Sequence, residues 1–188
     1  MARWQPDAPG RLAAAALDLF EERGYENTTV IEIAERAGLT KSTFFRHFPD
    51  KREVLFGGGT VTGLLAEGIA SAPPASGPLD AVADALDALG RTFFTADRRE
   101  FSRRRQAVLN AHAELRERDA LKRTDLTAAA IEALDRRGVP SPTARVAAQL
   151  GMLVWEIAYD RWLDPGNGED FGPLARQALA EVRAVLGS

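Results

Sequence analysis

Residues 29–51 read TVIEIAERAGLTKSTFFRHFPDK, a pattern of two short helices joined by a tight turn. Thr29 is a good N-cap, and Glu32 three residues on completes a capping box. Val30, Ile33, Ala34 and Ala37 recur at helical spacing and give the first helix one apolar face. Gly38 follows, where a left-handed residue is needed and glycine adopts it without a side-chain clash. Thr40 caps a second helix from Lys41 to about Phe48, and Pro49 closes it, because the residue before a proline disfavours helix.

Ala34 is small where two helices would cross closely, and Gly38 falls four residues later in the turn. That pairing, followed by a helix polar at its start, is the helix-turn-helix signal. The second helix of such a unit enters the major groove with its N-terminal residues at base edges. Here those residues are Lys41, Ser42 and Thr43, all able to donate to phosphates or to base edges. The same spacing also fits an ordinary helical hairpin, so spacing alone leaves both readings open.

The run from Arg11 to Phe56 resembles the DNA-binding domain of the tetracycline-repressor (TetR) family of bacterial transcription factors. The matching residues are Ala14 to Phe20, Gly24 and Tyr25, Thr28 and Thr29, Ile33 to Gly38, Lys41-Ser42-Thr43-Phe44-Phe45-Arg46-His47-Phe48, and Lys51. The likeness covers about the first quarter of the chain; the rest matches only in being helical. Phe45 takes the place where the family often has a DNA-contacting tyrosine. It keeps the ring but lacks the hydroxyl, which leaves contact to a sugar or a thymine methyl. His47 matches a family histidine that contacts the phosphate backbone. Thr28 and Thr29 lie where a helix N-terminus meets a phosphate, and Lys51 is an expected phosphate partner. With Thr40 to Thr43, these are the expected DNA contacts.

Composition fits a water-exposed globular chain: 45% hydrophobic and 27% charged over 188 residues. No window holds the roughly 18 apolar residues of a membrane span, and MARWQPDAPG lacks the apolar core of a secretory signal. There is no cysteine, hence no disulfide, no thiolate nucleophile and no Cys-based metal site. Cytoplasmic residence is the default expectation. The net charge of −3 is not that of a basic protein, yet residues 38–52 carry four bases (Lys41, Arg46, Lys51, Arg52) against Asp50. Only the expected contact surface is positive, which suits a reader that gains from counterion release.

The whole chain reads as all-α, with a three-helix DNA-binding domain over residues 1–52 and a helical ligand-binding and dimerisation domain over 53–188. A linking helix is expected from Asp50 to about Ala70, with Gly57-Gly58-Gly59 as a break, a close crossing or a hinge. Further helices follow over Leu79–Thr95, Asp97–Arg118, Asp119–Arg137, Ala144–Trp162 and Phe171–Leu186. One face of the penultimate helix, Ala147, Gly151, Val154 and Ala158, is small enough for another helix to approach closely.

The run DRREFSRRR, residues 97–105, reads either as a solvated face with snorkelling arginines or as a source of anion-binding residues. On the second reading Arg104 or Arg105 turns into a cavity, since a buried arginine needs a partner. Expected pocket residues are Phe93, Phe94, Arg104, Arg105, His112, Met152, Trp155 and Tyr159, aromatic walls with a few polar groups. The resemblance implies a homodimer formed through the last two helices, a palindromic DNA operator, and a small-molecule effector that releases it. An activator, a ligand-independent regulator, or a helical interaction module without DNA binding are the alternatives. No carboxylate pair or His-x-x-x-His spacing points to an enzyme or a metal site, and no cofactor is expected.

Overall fold

The capping signals of residues 29–51 are met one by one in the computed structural model of the chain, which describes residues 7–57 and 60–187. The Thr29 hydroxyl accepts from the Glu32 N–H at 3.3 Å, and the Glu32 carboxylate accepts from the Thr29 N–H at 2.8 Å. That opens helix α2, Val30–Arg36. At its end Gly38 sits at φ +65°, the Gly38 N–H donates to Glu35 O (2.9 Å) and the Leu39 N–H to Ala34 O (2.8 Å). These are the two bonds of a Schellman turn. Arg11 reaches from α1 (Ala8–Arg23) to the neighbouring Ala37 carbonyl. Thr40 then caps α3, Lys41–His47.

Every described secondary-structure element is helical. After α3 come a 3-10 turn at Arg52–Leu55, α4 (Thr60–Ser71), α5 (Pro78–Phe93) and a second 3-10 turn at Ala96–Arg98. They are followed by α6 (Arg99–Ala111), α7 (Ala113–Arg136), α8 (Ser141–Leu163) and α9 (Phe171–Leu186). Contacts divide the chain into a head, residues 1–59 with 103–120, and a body, residues 60–102 with 121–188. The expected boundary after residue 52 differs from this division. Val54 and Leu55 are buried, and their turn packs on α1. The head also takes a second segment from far along the chain, which no local pattern announces.

Two expected helices are interrupted. The linking helix from Asp50 is a 3-10 turn, capped by the Asp50 carboxylate on the Arg52 and Glu53 N–H groups (2.8 and 3.1 Å), and α4 begins only at Thr60. Gly57 lies at φ +69°, a conformation that ends the turn at little cost for glycine alone. Gly58 and Gly59 of the expected hinge lie outside the described residues. The helix expected over Asp97–Arg118 breaks at His112, where Arg116 donates to the Asn110 carbonyl at 2.7 Å and satisfies the end of α6. No glycine or proline marks that break.

In the head, Leu12, Ala16, Leu19 and Phe20 of α1 are buried, as are Ile33 of α2, Phe44 of α3, and Phe48. Each fully buried Leu, Ile or Phe stabilises by about 1.5–3 kcal/mol relative to exposure. In the body, α5 is central: Ala81, Val82, Ala85, Leu86 and Leu89 form one core with Leu65 and Ile69 of α4, Ala130 and Leu134 of α7, and Ala144 and Ala148 of α8. A Cβ on Gly151 would lie 2.2 Å from Val82 Cγ1. The small face of α8 is therefore used inside the chain, against α5, while Val154 packs with Ala178 and Val182 of α9.

Candidate nucleic-acid interface

The tip of α3 is built by its cap. The Thr40 hydroxyl accepts from the Thr43 N–H at 3.1 Å and lies 3.0 Å from the Thr43 hydroxyl. Phe44 is fully buried, its ring 5.6 Å from both Phe45 and Phe48. With Phe44 anchored inward, helical geometry turns Lys41, Ser42 and Phe45 out. All three are exposed, Phe45 to 47%. The Lys41 ammonium stands 5.9 Å from the Phe45 ring. Among the described residues, neither Lys41 nor the exposed Arg46 has a carboxylate partner. Arg46 is absent from the sequence-expected contacts, although the local charge count included it.

Other expected contacts are engaged within the head. Thr28 is buried, its hydroxyl donating to Gly24 O (3.0 Å), so the side chain faces the core and not a phosphate. Both the N–H and the hydroxyl of Thr29 donate to Glu32 Oε2 (2.8 Å each). The Lys51 ammonium donates to Tyr25 O (2.8 Å) and Thr28 O (3.0 Å) and lies 4.0 Å from the Tyr25 ring. It thereby pins the loop before α2 and keeps one N–H to spare. His47 is half-buried, and its Nε2 is buried without a partner. Burial, with the Glu114 carboxylate, pushes the Tyr25 phenol well above its ordinary value, so the ring stays neutral at physiological pH.

The expected pocket residues are divided by the structure. Arg104 grips α1: Nη2 is 2.6 Å from Asp18 Oδ1, and Nε is 3.1 Å from both Glu21 oxygens. Glu21 and then Asp18 hold its guanidinium even more firmly protonated. Arg105 donates to the Leu55 carbonyl, lies 3.8 Å from Asp119 and sits over the Phe56 ring at 5.1 Å. His112 stacks on Tyr25 at 5.6 Å. These three side chains serve the head. Their partners are groups of the protein itself. Beside them Arg118 pairs with Glu53, a carboxylate only 3% exposed.

Phe93, Phe94, Met152, Trp155 and Tyr159 lie in the body. Phe93, Met152 and Trp155 edge the α5 core. Phe94 touches four rings, with centroids 5.1 Å from Trp155, 5.3 Å from Tyr159, 5.3 Å from Trp162 and 4.6 Å from Phe171.

A capped, outward-facing second helix on a three-helix head defines a helix-turn-helix protein with a separate all-helical body. Residues 12–56 match the family model of the bacterial regulatory proteins of the tetR family. The transcriptional regulator TcmR of Streptomyces glaucescens is 41% identical over 86 residues, 43% of this chain and 37% of its own length. The transcriptional activator FasR of Mycolicibacterium smegmatis is 42% identical over 45 residues, 24% of this chain and 20% of its own length. The chain thus spans about a third or less of these relatives. The body's fold is seen in solved structures: SmeT of Stenotrophomonas maltophilia, in complex with triclosan, superposes with a TM-score of 0.63 at 19% identity, covering 94% of this chain and 90% of that one.

Proposed function

We propose that the chain is a homodimeric, ligand-responsive transcriptional regulator, a repressor released from a palindromic operator by a small molecule. The observation that carries this reading is the tip of α3, where Lys41, Ser42 and Phe45 stand clear of a head fixed by the buried Phe44 and Phe48. Lys41 and Ser42 are placed to donate to base edges, Phe45 to meet a thymine methyl, and Arg46 and the spare N–H of Lys51 to meet phosphates. Two such tips related by a two-fold axis would read half-sites about 34 Å apart.

The dimer reading rests on α8 and α9. Val146 and Leu153, seven residues apart on α8, are exposed, as are Val185 and Leu186 at the end of α9. A second copy would cover these apolar groups. The effector reading rests on the aromatic cluster of the body, and a ligand there changes DNA affinity by the ratio of its affinities for the two forms. SmeT is described as the repressor of an efflux pump, whereas FasR is named an activator. Repression is the leading reading, activation the second. None of the described helices is long and apolar enough to cross a membrane, and the cytoplasm is where such a regulator would work.

Selection of bound duplexes from a random pool tests the proposal. A palindromic consensus whose binding falls steeply with salt supports it; no enrichment, or salt-independent binding, removes the DNA reading and leaves a helical interaction module.

A further inference from the structure

Of the arginines in DRREFSRRR, Arg99 is bound differently from the two that the sequence singled out. It opens α6, donates from Nη1 to Asn167 O at 2.7 Å and from Nη2 to Glu169 O, and stands over the Trp162 ring at 5.4 Å. Both acceptors are neutral carbonyls, and among the described residues Arg99 has no carboxylate partner. Its Nε–H is buried with no protein acceptor. Trp162 beneath it is fully buried, and its Nε1–H likewise has no protein acceptor. Arg137 gives the contrast: it too binds only carbonyls, of Ile69, Ala72 and Pro73, but leaves no buried donor orphaned.

Two buried donors without acceptors, on side chains in contact, are a costly arrangement unless something accepts from them. The acceptor is best an anion, because the guanidinium charge is otherwise met only by dipoles. Around it stand Phe94, Trp155, Tyr159 and Phe171, so whatever carries the anion is flat and apolar. Phe94 ends α5 and is half-buried, whereas Trp162 and Phe171 are fully buried. It is the ring whose swing would open the cluster.

We infer that the body binds an aryl carboxylate, its carboxylate accepting from Arg99 Nε and Trp162 Nε1 and its ring taking a place among the aromatic side chains around Phe94. This deepens, and rests on, the effector reading above.

The test uses the full chain, with 1-naphthoate and benzoate as probes and their uncharged amides as controls, by calorimetry and by quenching of tryptophan fluorescence. The expected result is at least tenfold tighter binding of the acids than of the amides. Arg99→Met abolishes that preference. Trp162→Phe weakens the acids several-fold, and where it fails to fold, Arg99→Lys serves in its place by keeping the charge without the Nε donor. Equal binding of acid and amide, no binding at millimolar probe, or acid binding untouched by Arg99→Met overturns the inference. DNA affinity is read separately. Arg99-dependent binding with unchanged DNA affinity keeps this site and sinks the effector reading. Release of DNA by a different compound, equally from wild type and Arg99→Met, with no Arg99-dependent binding of the acids, does the reverse.

Discussion

Arg104 Nη2 lies 2.6 Å from Asp18 Oδ1, joining residues 86 positions apart in sequence within one folded head. Glu21 shares the same guanidinium, so α1 carries two carboxylates facing one cation. The three side chains are each 36–44% exposed, which makes this a surface network of modest strength. Arg104→Gln is expected to destabilise by about 1 kcal/mol or less, and by less still in high salt. Urea unfolding at two ionic strengths measures both effects; a loss unaffected by salt would mean that packing of the arginine stem matters more than its charge.

Glu53 and Arg118 form the more demanding pair, because Glu53 is almost wholly buried. Glu53→Ala removes the carboxylate and strands the arginine. A loss of about 2–3 kcal/mol is expected, read as a lowered midpoint of chemical unfolding.

Gly38→Ala puts a Cβ at φ +65° and 2.9 Å from the Arg11 guanidinium that holds the Ala37 carbonyl. A cost of about 1–2 kcal/mol is expected from the left-handed conformation. Thermal unfolding detects it, and a variant as stable as wild type would show that the turn relaxes.

Lys41→Ala is expected to weaken the selected operator more than an unrelated duplex, while Arg46→Ala weakens both alike and lowers the salt slope by about one. Lys51→Ala differs from both. It frees the carbonyls of Tyr25 and Thr28, so it lowers head stability as well as binding. Titration of each variant with both duplexes, alongside its unfolding curve, separates the three roles.

The capping box sets a pH response. The Thr29 N–H and then its hydroxyl hold Glu32 below its ordinary value of 4.5, and the hydrogen bond from Arg36 does the same for Glu22. Since both folded values lie below the unfolded ones, their contribution is complete above about pH 4.5 and is lost as pH falls through the folded values. Glu32→Gln should narrow the stability difference between pH 7 and pH 3.5; an unchanged difference would assign the acid sensitivity elsewhere.

What could be read from the amino acids alone tracks how local each interaction is. Thr29, Glu32, Gly38 and Thr40 act within four residues of themselves, and their roles were visible as spacing. Phe44 and Phe48 announced a buried face for the same reason. Arg104, Arg105 and His112 could not be placed that way: the run around Arg99 showed where cations gather but not what each would meet. Asp18, Glu21, Leu55 and Tyr25 lie 50 or more residues earlier in sequence. Lys51 reads in sequence as a phosphate partner, and its bonds to two loop carbonyls, of residues 23 and 26 positions earlier, need the folded head to be seen. The break at His112 left no trace because Arg116, six residues beyond Asn110, closes the end of α6 with its side chain, and a helix end closed that way needs no glycine.

The placement of residues 103–120 bears on how this molecule can be cut and recombined. A fragment stopping near Gly57 would carry Tyr25 without His112, Glu53 without Arg118, and Asp18 and Glu21 without Arg104. Grafting the reading module onto a foreign sensor therefore calls for two pieces of polypeptide. An exchange made only at the glycine triplet would leave a half-built scaffold.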